Sequence, residues 1–220
     1  MVLTTKRHVC TADSLVTLGD QRLEFKDSCK FLGTIVDNSL KFSNHIDHIV
    51  NKISRNTGIL FKIRDSLPLS ARLNFYYAFI FPYLSYNVIV WGSTYASYLN
   101  AIIVQQKRTI RTICNSRKLD HTTPLFRQLG ILKFGDIYRF SVSVHMYRSL
   151  SEGKFKIDHQ FNTRNHNLAA TKFHRLTISQ HAFSFQGPHI WNSLPEYIRT
   201  ASTISLFKCK LKKFFLDQYV

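Results

Sequence analysis

Residues 86–113 read YNVIVWGSTYASYLNAIIVQQKRTIRTI. No charged side chain occurs anywhere from 73 to 106, and then Lys107, Arg108 and Arg111 follow in quick succession. Two structures compete for such a stretch. A membrane span needs about 20 apolar residues. Residues 75–91 come close, but they hold Pro82, Ser85, Asn87 and five Tyr or Trp rings in place of an aliphatic plateau. A buried helix pair broken at Pro82 fits better, because proline has no amide proton and its ring clashes with the preceding turn. Beyond it, Leu99, Ile102, Ile103, Ile110 and Ile113 recur at helical spacing through residues 97–114, with Lys107, Arg108 and Arg111 on the other side. The expectation is a helix that is half core and half cationic rim, with no membrane partner.

The whole chain points the same way. With 220 residues, 45% of them hydrophobic and 14% aromatic, it can bury a core and is not a disordered polyelectrolyte. Its 30 Lys and Arg stand against 13 Asp and Glu, and a net charge of +17 calls for an anionic partner, first of all nucleic acid. Cys10, Cys29, Cys114 and Cys209 are far apart, with no C-x-x-C pair, which reads as ordinary thiols in a reducing compartment. His45 and His48 are spaced H-x-x-H, but no further ligand pair with zinc spacing accompanies them, so no metal site is expected. The first residues carry no apolar run of signal-peptide length, and an intracellular location is expected, nuclear or cytoplasmic.

Working outward, residues 1–37 read as β. SLVTLGDQRLEF alternates around Gly19 and Asp20, a pairing suited to a hairpin turn, and CKFLGTIVD reads as one further strand with Gly33 at a bulge or a close backbone approach. After Asp37 the period changes to that of a helix. Ile46, Ile49, Val50, Ile53, Leu60 and Phe61 form a stripe, Lys52, Arg55 and Lys62 fall elsewhere, and Ser43 is the expected N-cap. Leu67 and Pro68 end that helix. Thr123-Pro124 and Gly130 bracket a short helix. Residues 134–150 form another, with Ile137, Phe140, Ser141, Val144 and Tyr147 on one side. A polar connection follows, and FSFQGPHIWNSLPEYIR reads as irregular, anchored by Trp191. Ser202 is the expected cap of a last helix with a stripe of Ile204, Phe207, Leu211 and Phe214 opposite Lys208, Lys210, Lys212 and Lys213.

No catalytic set stands out. A metal-dependent polymerase or nuclease needs carboxylates close enough to share divalent cations, and here the acids are scattered singly, with no D-D or D-x-D pair. Phosphate-loop and dinucleotide fingerprints are missing, and His121 and His145 read as structural. No catalytic residue and no cofactor are assigned.

Six blocks then take on meaning through their order: KFLGTIVDNSLKFSNHI, FPYLSYNVIVWG, QQKRTIR, HTTPLFRQLGIL, HQFNTR and GPHIWNSLPEYIR. This order resembles the C-terminal part of the reverse transcriptases of non-LTR (LINE-type, Jockey-like) retrotransposons. The resemblance implies an α+β, mostly α fold: a residual palm-like β region (1–37), a thumb-like helical region (38–117), a helical continuation (118–150) and a basic C-terminal region (151–220). It implies that Lys30, Phe31, Leu32 and Gly33 correspond to the turn that grips the primer end. Lys52, Arg55, Lys62, Lys107, Arg108 and Arg111 would face RNA, DNA or hybrid duplex. The family's paired aspartates, and the Mg²⁺ they hold, belong to a palm that this sequence does not contain, and Asp37 does not replace them. Function is therefore expected to be nucleic-acid binding without polymerase activity of its own and with no known protein partner. An inert remnant of a truncated element and a part of a longer active polymerase remain as alternatives.

Overall fold

The computed structural model describes residues 17–22, 26–154, 168–171 and 173–219. The expected polar connection of 151–167, the HQFNTR block and Cys10 lie mostly or wholly outside these residues. Two small antiparallel hairpins open the fold. β1 (Thr17–Leu18) pairs with β2 (Gln21–Arg22) around Gly19 and Asp20, as expected. β3 (Ser28–Phe31) pairs with β4 (Thr34–Asp37), which corrects the expected single strand over CKFLGTIVD. Leu32 and Gly33 form the two-residue turn, with φ of 44° and 82°. Positive φ at both central positions matches the right-handed strand twist, and glycine adopts it freely. The close approach anticipated at Gly33 is present, since a Cβ there would lie 3.3 Å from the Tyr86 ring.

Helix α1 (Ser43–Ile63) is not capped by Ser43. Phe42 occupies the N-cap position in a left-handed conformation, and Asp37 serves the helix entrance instead. Its carboxylate accepts from the backbone amides of Ser39, Lys41 and Phe42 and from the Ser39 hydroxyl. Burial acts to raise the Asp37 pKa, but these donors outweigh it and hold the carboxyl below its ordinary range. Ile46, Ile49, Ile53, Thr57 and Leu60 line the buried stripe. Phe61, expected within it, is 54% exposed, because it sits one residue beyond Leu60 and so about 100° around the helix.

A 3₁₀ turn (Arg64–Ser66) and an extended Leu67 before Pro68 end α1 as anticipated. The charge-free segment follows as α2 (Leu69–Phe79), α3 (Phe81–Ser85) and α4 (Val88–Trp91). The break falls at Ile80, with Pro82 in the first turn of α3, where its missing amide has no helical partner to lose. Tyr76, Ile80, Leu84, Val88 and Trp91 are buried in one line. Burial is confined to that line: Tyr77, Phe79, Tyr86 and Val90 face outward. No helix among the described residues is long and apolar enough to cross a membrane.

Helix α5 (Ala96–Ile113) packs along α1. The hydroxyls of Thr57 and Thr109 meet at 2.7 Å, and the Asn115 amide donates to Asp65 at 3.0 Å, so the two helices run in the same direction. Helix α6 (Thr123–Leu129) begins with Pro124 in its first turn and ends at Gly130 with φ of 63°. Helix α7 (Phe134–Ser151) follows. The expected one-sided stripe on α7 is incomplete, since this helix is sandwiched between two cores. Phe134, Ile137, Tyr138 and Val142 join the core of α1–α5, whereas Val144 and Met146 join a second core with Trp191, Ile198, Phe207, Leu211 and Phe215.

The second core is closed by α8 (Thr177–Gln180), α9 (Phe183–Asn192), α10 (Glu196–Arg199) and α11 (Ile204–Asp217). The GPHIW stretch, expected to be irregular, is helical through Pro188. Packing on α7 favours the helix over the breaker: a Cβ on buried Gly187 would lie 3.4 Å from the Met146 sulfur of α7, and 3.1 Å from the Phe183 ring of its own helix. Trp191 anchors this helix at 4% exposure. Helix α11 is capped by Thr203 rather than Ser202, its hydroxyl accepting from the Leu206 amide at 3.2 Å.

One polar residue ties these parts together. Gln106 is buried in α5, its amide donating to the Tyr76 hydroxyl at 3.2 Å and the Leu132 carbonyl at 2.9 Å and accepting from the Phe134 amide at 2.8 Å. Gln106→Leu keeps the volume and strands all three partners in a dry interior. We expect a loss of about 3 kcal/mol in chemical denaturation, larger than that of an ordinary surface substitution.

A second stability prediction concerns His45. It is 3% exposed, its Nδ1 accepts from the Ile35 amide at 3.3 Å, and its ring meets Trp91 edge-on. Burial, together with nearby His48, lowers its pKa to about 4. A histidine whose pKa is depressed by folding binds its proton more readily in the unfolded chain. Its contribution is therefore complete above its unfolded value of about 6.5 and is lost as the pH falls toward 4. A decline in stability of about 3 kcal/mol across that window is expected, and His45→Phe should flatten it in urea titrations at successive pH values.

Candidate nucleic-acid interface

Helix α5 fixes the direction of its own charges. Ile102, Gln106, Thr109, Ile110 and Ile113 are buried, which leaves Lys107 and Arg108 on the exposed side. Arg111 is half-buried, and its Nε donates to the Asp120 carbonyl at 3.0 Å. Arg111 is thus partly a structural residue that holds the loop after α5. That loop is also tied by the Arg117 amide, which donates to the Asp120 carboxylate at 2.8 Å.

Two clefts flank α5, and they differ in charge. The cleft toward α6 and α7, of about 510 Å³, contains Lys107, Arg111, Lys133 and Arg139, but also Asp120 and Asp136. Its charge is largely spoken for: Asp136 pairs with Arg139 at 3.6 Å and accepts from the Tyr219 hydroxyl at 2.6 Å. The cleft toward the end of α1, of about 620 Å³, gathers Arg64, Arg108, Arg111 and Lys118, and no carboxylate lines it. Its floor is apolar, with Phe61, Val104 and Leu119 exposed to solvent. The Arg64 guanidinium lies 4.1 Å from the centre of the Phe61 ring, a cation–π contact, and its Nε is 3.6 Å from Asp65, itself largely exposed.

The six basic residues singled out from sequence therefore divide. Arg108 and Arg111 share the second cleft, and Lys107 lines the first. Lys52, half-buried, and Arg55 and Lys62, both exposed, line neither. Arg64, Lys118 and Phe61 were missed as site residues. Arg64 and Lys118 stand at helix ends and in a loop, where periodicity says nothing of direction. Phe61 was assigned to the core because it is apolar beside Leu60.

Lys30, Phe31, Leu32 and Gly33 form an exposed hairpin tip, with Phe31 and Leu32 at 66% and 74% exposure. The tip is nevertheless held firmly. The Tyr86 hydroxyl donates to the Leu32 carbonyl at 2.6 Å, the Asn87 amide donates to the Thr34 hydroxyl at 2.9 Å, and His45 receives the Ile35 amide. Two apolar side chains are thereby presented to solvent on a braced turn above α3 and α4. Among the described residues, no three of His, Cys, Asp and Glu come together to hold a metal ion.

Comparison with curated proteins gives a consistent relationship. The chain is 30% identical over 125 residues to the RNA-directed DNA polymerase from mobile element jockey of Drosophila melanogaster, which is 55% of this chain and 14% of that protein. It is 30% identical over 127 residues to the jockey polymerase of Drosophila funebris, covering 56% and 14% respectively. It is 27% identical over 123 residues to the probable RNA-directed DNA polymerase from transposon X-element of Drosophila melanogaster, covering 54% and 14%. The chain thus spans a small part, 14%, of the length of the curated relatives it matches. No family model matches the chain. No solved structure matches it either. By these matches the chain is related to the RNA-directed DNA polymerases of non-LTR, jockey-like retrotransposons.

Proposed function

We propose that this chain is a nucleic-acid-holding part of a retrotransposon RNA-directed DNA polymerase, in which the helices of residues 38–117 clasp template–primer duplex in the manner of a thumb. One observation supports this reading above others. The relationship to RNA-directed DNA polymerases coincides with a helix, α5, whose burial leaves Lys107 and Arg108 outward and whose end joins Arg64 and Lys118 in a cleft lined by no carboxylate. The bland alternative, an ordinary solvated face, predicts no particular ligand. In this reading the braced tip of Lys30 to Gly33 meets the primer end.

Phosphate contacts release counterions, so affinity falls with salt in proportion to the number of contacts. In Lys107→Ala/Arg108→Ala, both targets are exposed and neither side chain holds the core. The double variant should lower the log–log salt slope on B-form duplex by about 1.8 and weaken binding similarly on unrelated sequences, with circular dichroism unchanged. Fluorescence anisotropy at several salt concentrations measures this, and an unchanged slope in a folded variant would return these residues to the solvated-face reading. Arg111 is left out of the test because its bond to Asp120 would confound binding with loop order.

The chain alone should not extend a primer. Catalysis of phosphoryl transfer by two metals needs carboxylates that share them. Asp37, inside the first of the resembling blocks, is occupied in capping the entrance of α1. Incorporation of deoxynucleotides on an RNA template with Mg²⁺ or Mn²⁺, in a preparation free of other polymerases, would overturn this.

A further inference from the structure

The cleft between the ends of α1 and α5 has a feature that duplex binding does not require. A duplex needs cations for its backbone, whereas its bases are stacked on one another and out of reach of a protein ring. Here the cations surround exposed apolar surface. Phe61 is 54% exposed, Val104 is 52% exposed and Leu119 is 91% exposed, all three lining one concavity with Arg64, Arg108, Arg111 and Lys118. An aromatic ring inside a basic groove is the combination that recognises unpaired nucleotides, since every base has a π-face and every nucleotide a phosphate. The volume, about 620 Å³, lies within the range of small-ligand sites.

Resting on the nucleic-acid reading above, we propose that this cleft holds an unpaired nucleotide of a bound strand. Its base lies against the Phe61 ring and Arg64, and its phosphates lie among Arg108, Arg111 and Lys118. The Arg64 guanidinium is already placed over the ring, 4.1 Å from its centre, so the aromatic floor and its cation are arranged before any ligand arrives. Arg111 is oriented by its bond to the Asp120 carbonyl. The neighbouring cleft makes a useful contrast: it is also basic in part, but it offers its cations two carboxylates of its own. Charge complementarity therefore favours an anion on the Phe61 side, and the exposed ring favours a nucleotide over a bare phosphate. The polymer best suited is a template or primer single strand leaving the duplex held by α5.

The test compares the intact chain with Phe61→Leu, which keeps apolar bulk but removes the ring, on a short blunt duplex and on the same duplex carrying a single-stranded overhang. Phe61 lies outside the core, so the variant should fold, and Arg64→Met, which removes the overlying cation, provides an independent second variant. Phe61→Leu should weaken binding to the overhang substrate by about tenfold, with blunt-duplex affinity and salt slope unchanged. Arg64→Met, which also removes a cation counted in the duplex reading, should lose more affinity on the overhang substrate than on the blunt duplex. Equal losses on both, or no loss on either while the intact chain still binds duplex in a salt-dependent way, would overturn the nucleotide site and leave the proposed function standing. If the intact chain bound neither substrate, both readings would fall.

Discussion

The buried amide of Gln106 is the constraint on which the arrangement depends. It stands in the charge-free run immediately before Lys107, and it meets Tyr76 of α2, the Leu132 carbonyl and the first amide of α7 at once. A polar group placed in an apolar interior must find every partner it needs, and a side chain with three fixed partners can point only one way. Once Gln106 points inward, Lys107 and Arg108 must point outward. The stacking of Trp91 on Phe134, with ring centroids 5.5 Å apart and planes 16° apart, joins α4 to the same start of α7. The cationic rim is therefore a consequence of core chemistry.

The hairpin is braced by a comparable economy of polar groups. Asp37 turns the chain from β4 into α1, His45 receives the Ile35 amide from within α1, and Tyr86 and Asn87 hold the turn from between α3 and α4. Two strands this short would not persist alone in water. Bonds from α1 and from the connection between α3 and α4 make the exposed Phe31 and Leu32 a fixed protrusion. The neutral His45 links this arrangement to pH, because protonating Nδ1 would abolish the acceptor that Ile35 uses.

Helix α7 joins the two halves of the molecule. Its first turns complete the core built by α1 to α5, and its later turns seed the core closed by α9 and α11. The end of the described chain returns to the start of α7. The Tyr219 hydroxyl donates to Asp136 and accepts the Lys133 amide at 2.8 Å, while the Lys133 ammonium lies 4.3 Å from the Tyr219 ring centre. Several groups lining the cleft on the α7 side of α5 are thus engaged with one another, whereas the cleft on the α1 side gathers four cations and is lined by no carboxylate.

Much of this was legible in local pattern. The 3.6-residue recurrence of Ile102, Ile110 and Ile113 identified α5 and the side its cations take. Pro124 and Gly130 bracketed α6, and Gly19 with Asp20 marked the first turn, because these are effects that a residue exerts on its own backbone. What tertiary structure alone decided were matters of which surface is covered. Phe61 is as apolar as Leu60, yet one joins the core and the other meets solvent. Pro188 breaks helices in isolation, but α9 continues through it because Gly187 and Trp191 are gripped by α7. Asp37 read as one more scattered acid, although its four donors lie only two to five residues onward and so belong to the local backbone. Periodicity reports how residues are arranged around one element. Which face a neighbour buries, and which cations then share a cleft, depends on long-range packing that no local spacing encodes.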